Sequence, residues 1–182
     1  MFRRNKAGEL RHLIEVMILE ANARLLEQSV HLLATIDDAA YTAPAELSGG
    51  QRIGGHIRHV IDFYECLIRG LPDGVVDYDA RRRDSVLETD RRAAMARLED
   101  LARTLRGDPR LRSVRTLRVA SEGATFAEST IGRELQAVAS HTVHHFALVA
   151  LLLQSQGCSV PAEFGVSKAT LDFRAAQRRE AA

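Results

Sequence analysis

The sequence predicts an all-α protein, a four-helix bundle, on three observations. Apolar residues recur at three- and four-residue steps through four long stretches; polar or Gly/Pro-containing connections separate these stretches; and no sustained strand alternation offers a sheet-based core. The 182 residues fit one domain, residues 1–182, with enough chain to bury a continuous interior.

The first predicted helix runs from about Leu10 to Ile36, with Leu13, Val16, Met17, Ala21, Leu25, Val30 and Leu33 on its apolar steps. A polar connection from Asp37 to Gly50 leads to a second helix, from about Gln51 to Arg69. There Ile53, His56, Val60, Phe63 and Leu67 share a stripe, and Gly70-Leu71-Pro72-Asp73-Gly74 supplies the stop. Val75 to Asp84 has no clean period and is expected as a loop. Ser85-Val86-Leu87-Glu88 has the form of a capping box opening a third helix, which ends near Arg106 before Gly107-Asp108-Pro109. Val114, Leu117 and Val119, then Ser121-Glu122-Gly123, then Ala124-Thr125-Phe126, predict a short β-hairpin between helices three and four. The fourth helix starts near Ser129 or Thr130 and stops at Gly157. The tail, with Pro161, Phe164-Gly165 and Lys168, is expected as an ordered flap with a frayed Arg/Glu/Ala end.

A formal net charge of +1 gives no global pull toward nucleic acid or an anionic membrane. Arg110, Arg112, Arg115 and Arg118 form a basic strip, but little aromatic residue is interleaved with it and no groove-reading motif accompanies it. Cys66 and Cys158 are too few for a disulfide framework, and a reducing cytoplasm is the expected home. The basic N-terminus is followed by a stretch broken by Glu9, Arg11, His12, Glu15 and Glu20, which is no signal-peptide core. Val143 to Leu153 is the longest candidate apolar run and falls short of a membrane span.

The most informative segment is Ser140-His141-Thr142-Val143-His144-His145. His141 and His145, four residues apart, project from one helix face about one turn apart, close enough to hold a single metal ion. Gly55-His56-Ile57-Arg58-His59-Val60 carries a second histidine pair at helical spacing, and these two segments hold five of the seven histidines. A single histidine on an apolar face is most often a half-buried, hydrogen-bonded residue that binds nothing. Several imidazoles gathered into one interior are costly without a partner, whereas a divalent cation accepts their lone pairs together.

Gly55-His56-Ile57-Arg58-His59-Val60-Ile61-Asp62 and His141-Thr142-Val143-His144-His145 resemble the DinB-like superfamily, including its YfiT-type metal-dependent hydrolases, in helix order and in the His…His-x-x-x-His layout. The resemblance implies a four-helix bundle holding a divalent metal through three histidines, one on the second helix and two on the last. On this chain those positions match His59, His141 and His145. The Tyr78-Asp79-x-Arg81-x-Arg83-Asp84 loop and Phe164-Gly165 also look like a subset of these proteins. The superfamily includes hydrolases and thiol-dependent transferases, so the resemblance does not choose a substrate, and no catalytic residue is assigned.

Three neutral imidazoles leave a coordination position open, the arrangement of catalytic sites. Zinc or nickel is the expected ion, and iron or manganese would satisfy the same ligands. His56 reads either as a proton carrier or substitute ligand lining the same pocket or as a hydrogen-bonded interhelical histidine, and Asp62 either as holder of the His59 ring or as a solvated or salt-bridged acid. His144, about 100° around the helix from its neighbour, is expected to be structural or partner-facing. Arg81, Arg82 and Arg83 offer a hold for an anionic substrate, against the plainer reading of a salt-bridged cluster with Asp79, Asp84, Glu88 and Asp90. Cys66 fits a small core residue. The expectation is a metal-dependent hydrolase or thiol-dependent transferase acting on a small molecule, with a non-catalytic metal-binding module of the stress response as the rival. The second apolar face of the first helix (Leu13, Met17, Leu25, Leu32) predicts a homodimer.

Overall fold

The computed structural model describes residues 3–45, 49–112, 116–120, 123 and 125–180. Val114, Arg115, Ser121, Glu122 and Ala124, which belong to the predicted hairpin and basic strip, lie outside the described residues. The chain is mostly helical, with one small sheet. Four long helices carry it: α1 (Arg3–Ala34), α3 (Ile53–Gly70), α5 (Arg91–Gly107) and α6 (Ile131–Ser155). The shorter α2 (Asp38–Thr42), α4 (Val86–Thr89) and α7 (Lys168–Glu180) complete the set, and strands β1 (Val75–Asp77), β2 (Thr116–Ala120) and β3 (Ala127–Thr130) form the sheet.

Each long helix buries one stripe. On α1 this is Leu19, Ala23, Leu26 and Leu33, and on α3 it is Ile53, Ile57, Ile61, Tyr64 and Leu67. Leu98, Leu101 and Leu105 of α5 and Leu135, Val138, Phe146 and Val149 of α6 belong to the same continuous core. α1 packs on α5 and α6, and α3 on the same two helices, so the histidine-bearing faces of α3 and α6 lie against each other. Arg106 fastens α5 to α1 through Glu20, at 2.8 Å, and Glu27.

Several connections differ from the sequence expectation. The polar linker after α1 contains α2, capped by the Asp37 carboxylate on the Ala40 N–H. The predicted loop at Val75 instead begins with β1, paired in parallel with β2, which in turn pairs antiparallel with β3 in the order β1-β2-β3. The second hairpin strand is Ala127–Thr130 rather than the Ala124–Phe126 segment. Ser85 makes no side-chain cap: its own φ/ψ is right-handed helical, the Glu88 carboxylate goes to Arg58, and α4 is one turn long. Asp90, extended and accepting from the Ala93 N–H, caps α5. Thr130 does the same for α6 through the Arg133 N–H.

α6 exceeds the expectation for apolar length. By length and composition alone it is the one helix among the described residues able to cross a membrane, and the window that qualifies is 33% buried inside the protein. The tail after α6 is anchored by Phe164, stacked on Phe146 at 4.7 Å, and by Gly165. With φ +73° and α6 backbone 2.5 Å from where a Cβ would stand, position 165 accepts glycine alone without strain. The segment expected to fray is α7, which buries no residue.

Candidate metal centre

α3 and α6 supply the site. Their facing stripes bring His59, His141 and His145 together so that one ring nitrogen from each lies within 4.8 Å of the others. Ring centroids are 5.0 Å apart for His59 and His141, and 4.5 Å for the two pairs involving His145. All three rings are half-buried. Burial, then the neighbouring His141 and the Arg81 and Arg58 charges, push the His59 pKa down to about 4. Burial and the adjacent histidines push His145 to about 3, and burial lowers His141 and His56 as well. At neutral pH the cluster therefore presents uncharged imidazoles with lone pairs available, the form in which histidine binds metal.

The cluster also contains an unmet need. His141 Nε2 is buried with no hydrogen-bond partner, which is uncommon for a polar atom in a folded interior. Among the described residues neither His59 nor His145 bonds that nitrogen, whereas a cation accepts a lone pair from each of the three rings. The donor set thus fits a divalent ion of the zinc, nickel, iron or manganese kind, with no carboxylate or thiol in the group.

His56 sits beside the cluster rather than in it. Its Nδ1 is 3.0 Å from His145 Nδ1, so one of the two carries a proton that it shares with the other. With Nδ1 engaged in this way, Nε2 is the nitrogen of His145 left for an ion. His144 is exposed and meets His145 edge-on at 5.4 Å, outside the group.

Asp62 takes the second of its two sequence readings. Buried, it accepts from Arg58 at 2.8 Å on Oδ2 and from the Arg83 backbone N–H at 3.3 Å on Oδ1, and among the described residues it makes no hydrogen bond to His59. Arg58 bridges on to Glu88 at 2.9 Å. The salt-bridged arginine cluster is not formed as expected, since Glu88 pairs with Arg58, Asp90 caps α5 and Asp84 accepts from the Val86 N–H. Arg82 and Arg83 are exposed. Cys66 is buried outside the cluster, with Arg69 Nη2 at 3.2 Å from its sulfur and its thiol pKa raised by burial.

Two features escaped the sequence reading. Phe63, placed there on the core stripe, is half-buried and stacks on His141 at 4.1 Å and on Tyr78 at 4.9 Å, walling one side of the cluster. Tyr78 is held in turn by donating to Glu134. A cavity of about 500 Å³ borders His56, His59 and His145, with Arg52, Gly55 and Leu148 among its walls. Phe63 was visible as an i+4 neighbour of His59, but the cavity depends on the 49–52 turn and had no local signal.

No family model matches the chain, and no solved structure matches it. Among curated proteins, FK506-binding protein 5 of Rhizopus delemar is 33% identical over 104 residues, a stretch covering 53% of this chain and 27% of that protein. The chain thus spans about a quarter of the length of the curated relative it matches.

Proposed function

We propose that this chain is a metal-dependent enzyme of the DinB-like kind: a four-helix bundle of α1, α3, α5 and α6 holding one divalent ion on His59, His141 and His145. The observation that supports it best is the meeting of three uncharged imidazoles, one with an orphaned buried nitrogen and the other two bordering a cavity large enough for a small molecule. A non-catalytic module would need no such cavity, so the enzyme reading is favoured over the stress-response module.

When bound, an ion of this class supplies Lewis acidity, lowering the pKa of water or of a thiol in the open position and polarising a carbonyl. The chain's own residues supply the rest. His56 orients His145 through the shared Nδ1 proton, Phe63 and Leu148 shield the centre, and Arg58 holds the cavity's carboxylate, Glu88. Because Glu88 is engaged, it does not stand as a free general base, which favours thiol-dependent transfer over hydrolysis. Zinc or nickel is the proposed ion, a low-molecular-weight thiol the proposed co-substrate, and the cytoplasm the proposed location, with neither nucleic acid nor membrane as partner.

Elemental analysis after chelator-free purification tests the centre: about one divalent ion per chain is expected, with most of it lost in His145→Ala. Equal metal in both proteins would overturn the assignment. Assays of the metal-loaded protein with simple esters and with thiols plus an electrophile then separate hydrolysis from transfer.

A further inference from the structure

The loop between β1 and α4 holds one arginine in an unusual state. Arg81 lies with its guanidinium carbon 5.2 Å from the Phe63 ring centroid, over the ring that stacks on His141 at 4.1 Å and meets His59 at 4.9 Å. Its backbone is pinned on both sides: Arg69 donates to the Ala80 carbonyl at 3.0 Å, and the Arg83 N–H donates to Asp62 at 3.3 Å. Arg83 adopts φ +52° to make that bond, a conformation costly for a residue with a Cβ. Yet Arg81 Nε is buried with no hydrogen-bond partner, and no carboxylate pairs with the side chain among the described residues. Leaving a buried donor of a charged group unmade is expensive, and arginine's fork is shaped for a planar oxyanion.

The charge around the cluster points the same way. Arg58, the other nearby cation, is flanked by Asp62 and Glu88, leaving that trio one negative charge. A divalent ion on three neutral histidines, together with Arg81, exceeds that surplus by two positive charges.

From this geometry we infer that Arg81 binds a carboxylate group of the substrate, placing it beside the metal centre formed by His59, His141 and His145. The inference rests on the metal reading and names the substrate class that reading left open: a small carboxylic acid, bound as its anion by the Arg81 guanidinium. Phe63 fixes the guanidinium, and the pinned loop holds its position before substrate arrives.

The test uses the cobalt-loaded protein, whose visible absorption reports ligands entering or leaving the centre. Cobalt binding is measured first, and its failure would overturn the metal reading rather than the role of Arg81. Acetate is then titrated, with neutral acetamide as its control. Acetate is expected to perturb the spectrum saturably and acetamide not. Arg81→Gln should weaken acetate at least tenfold with cobalt affinity and melting temperature unchanged, and Arg81→Lys should recover part of the loss. Acetate that leaves the wild-type spectrum unmoved, or binds Arg81→Gln as well as wild type, overturns the inference. So does loss of cobalt from Arg81→Gln, which would make Arg81 a support of the metal site.

Discussion

At the scale of single residues, the site turns on which of two histidines on α3 faces an ion. His59 joins His141 and His145 in the group whose ring nitrogens converge, whereas His56 is bonded to a member of that group at 3.0 Å. Removing a ligand deletes a coordinate bond, while removing a group that only orients a ligand costs about 10–100-fold in affinity or activity at most sites. His59→Ala is therefore expected to abolish most metal binding, and His56→Ala to keep the ion with weakened or unchanged affinity, in competition against a chromophoric chelator. The opposite pattern would exchange their roles while leaving a metal centre in place. The histidines were legible because helical spacing is a local property: His141 and His145 share a face whatever surrounds them. What His56 does was not, because it depends on a partner distant in sequence, His145 across 89 residues; Asp62 has its ion-pair partner Arg58 four residues away on the same helix, but its second bond, to the Arg83 N–H, spans 21. The sequence offered Arg81, Arg82 and Arg83 alike as a hold for an anion and could not choose among them, since only the fold places Arg81 over Phe63 and sends Asp84, Glu88 and Asp90 elsewhere.

Among the elements, the four long helices followed from apolar periodicity, which burial against a common core enforces over several turns of each. Short elements lacked that averaging. β1 has three residues and exists because β2 lies beside it, a pairing across about forty residues that no window of sequence contains. The start of α5 shows how a local signature can mislead. Ser85-x-x-Glu88 reads as a capping box, but Asp84 already accepts from the Val86 N–H and Arg58 draws the Glu88 carboxylate toward α3. Asp90, five residues on, is in the extended conformation an N-cap requires. Asp90→Ala should thus destabilise the protein by about 1 kcal/mol. Ser85→Ala should fall within about 0.5 kcal/mol of wild type, both read from urea unfolding midpoints. A Ser85 variant as damaging as the Asp90 variant would restore the capping box.

For the whole molecule, the helices are unequal in a way that leaves one of them unsupported. α1 has 32 residues, a length of about 48 Å, against 17 residues and about 26 Å for α5, its main packing partner. Its buried stripe begins only at Leu19. Before that point Leu10, Leu13, Ile14 and Met17, spaced on one face, are 59%, 55%, 49% and 63% exposed. The sequence reading of this second face is corrected in its lower half, because Leu32 is buried and Leu25 is partly buried in the core. What remains is an apolar strip confined to the first half of the helix, where the chain's own packing does little to hold it. A helical segment of this length is marginal in water without a surface to bury its apolar face. The same strip on a second copy, related by a two-fold axis, covers it with itself, and we propose such a homodimer. Light scattering at micromolar concentration should give twice the chain mass, and a double variant, Leu13→Glu with Met17→Glu, should give the single mass while keeping the metal content of wild type. A wild-type protein that is monomeric throughout that range would refute the dimer, and a double variant that stayed dimeric would move the interface to another face.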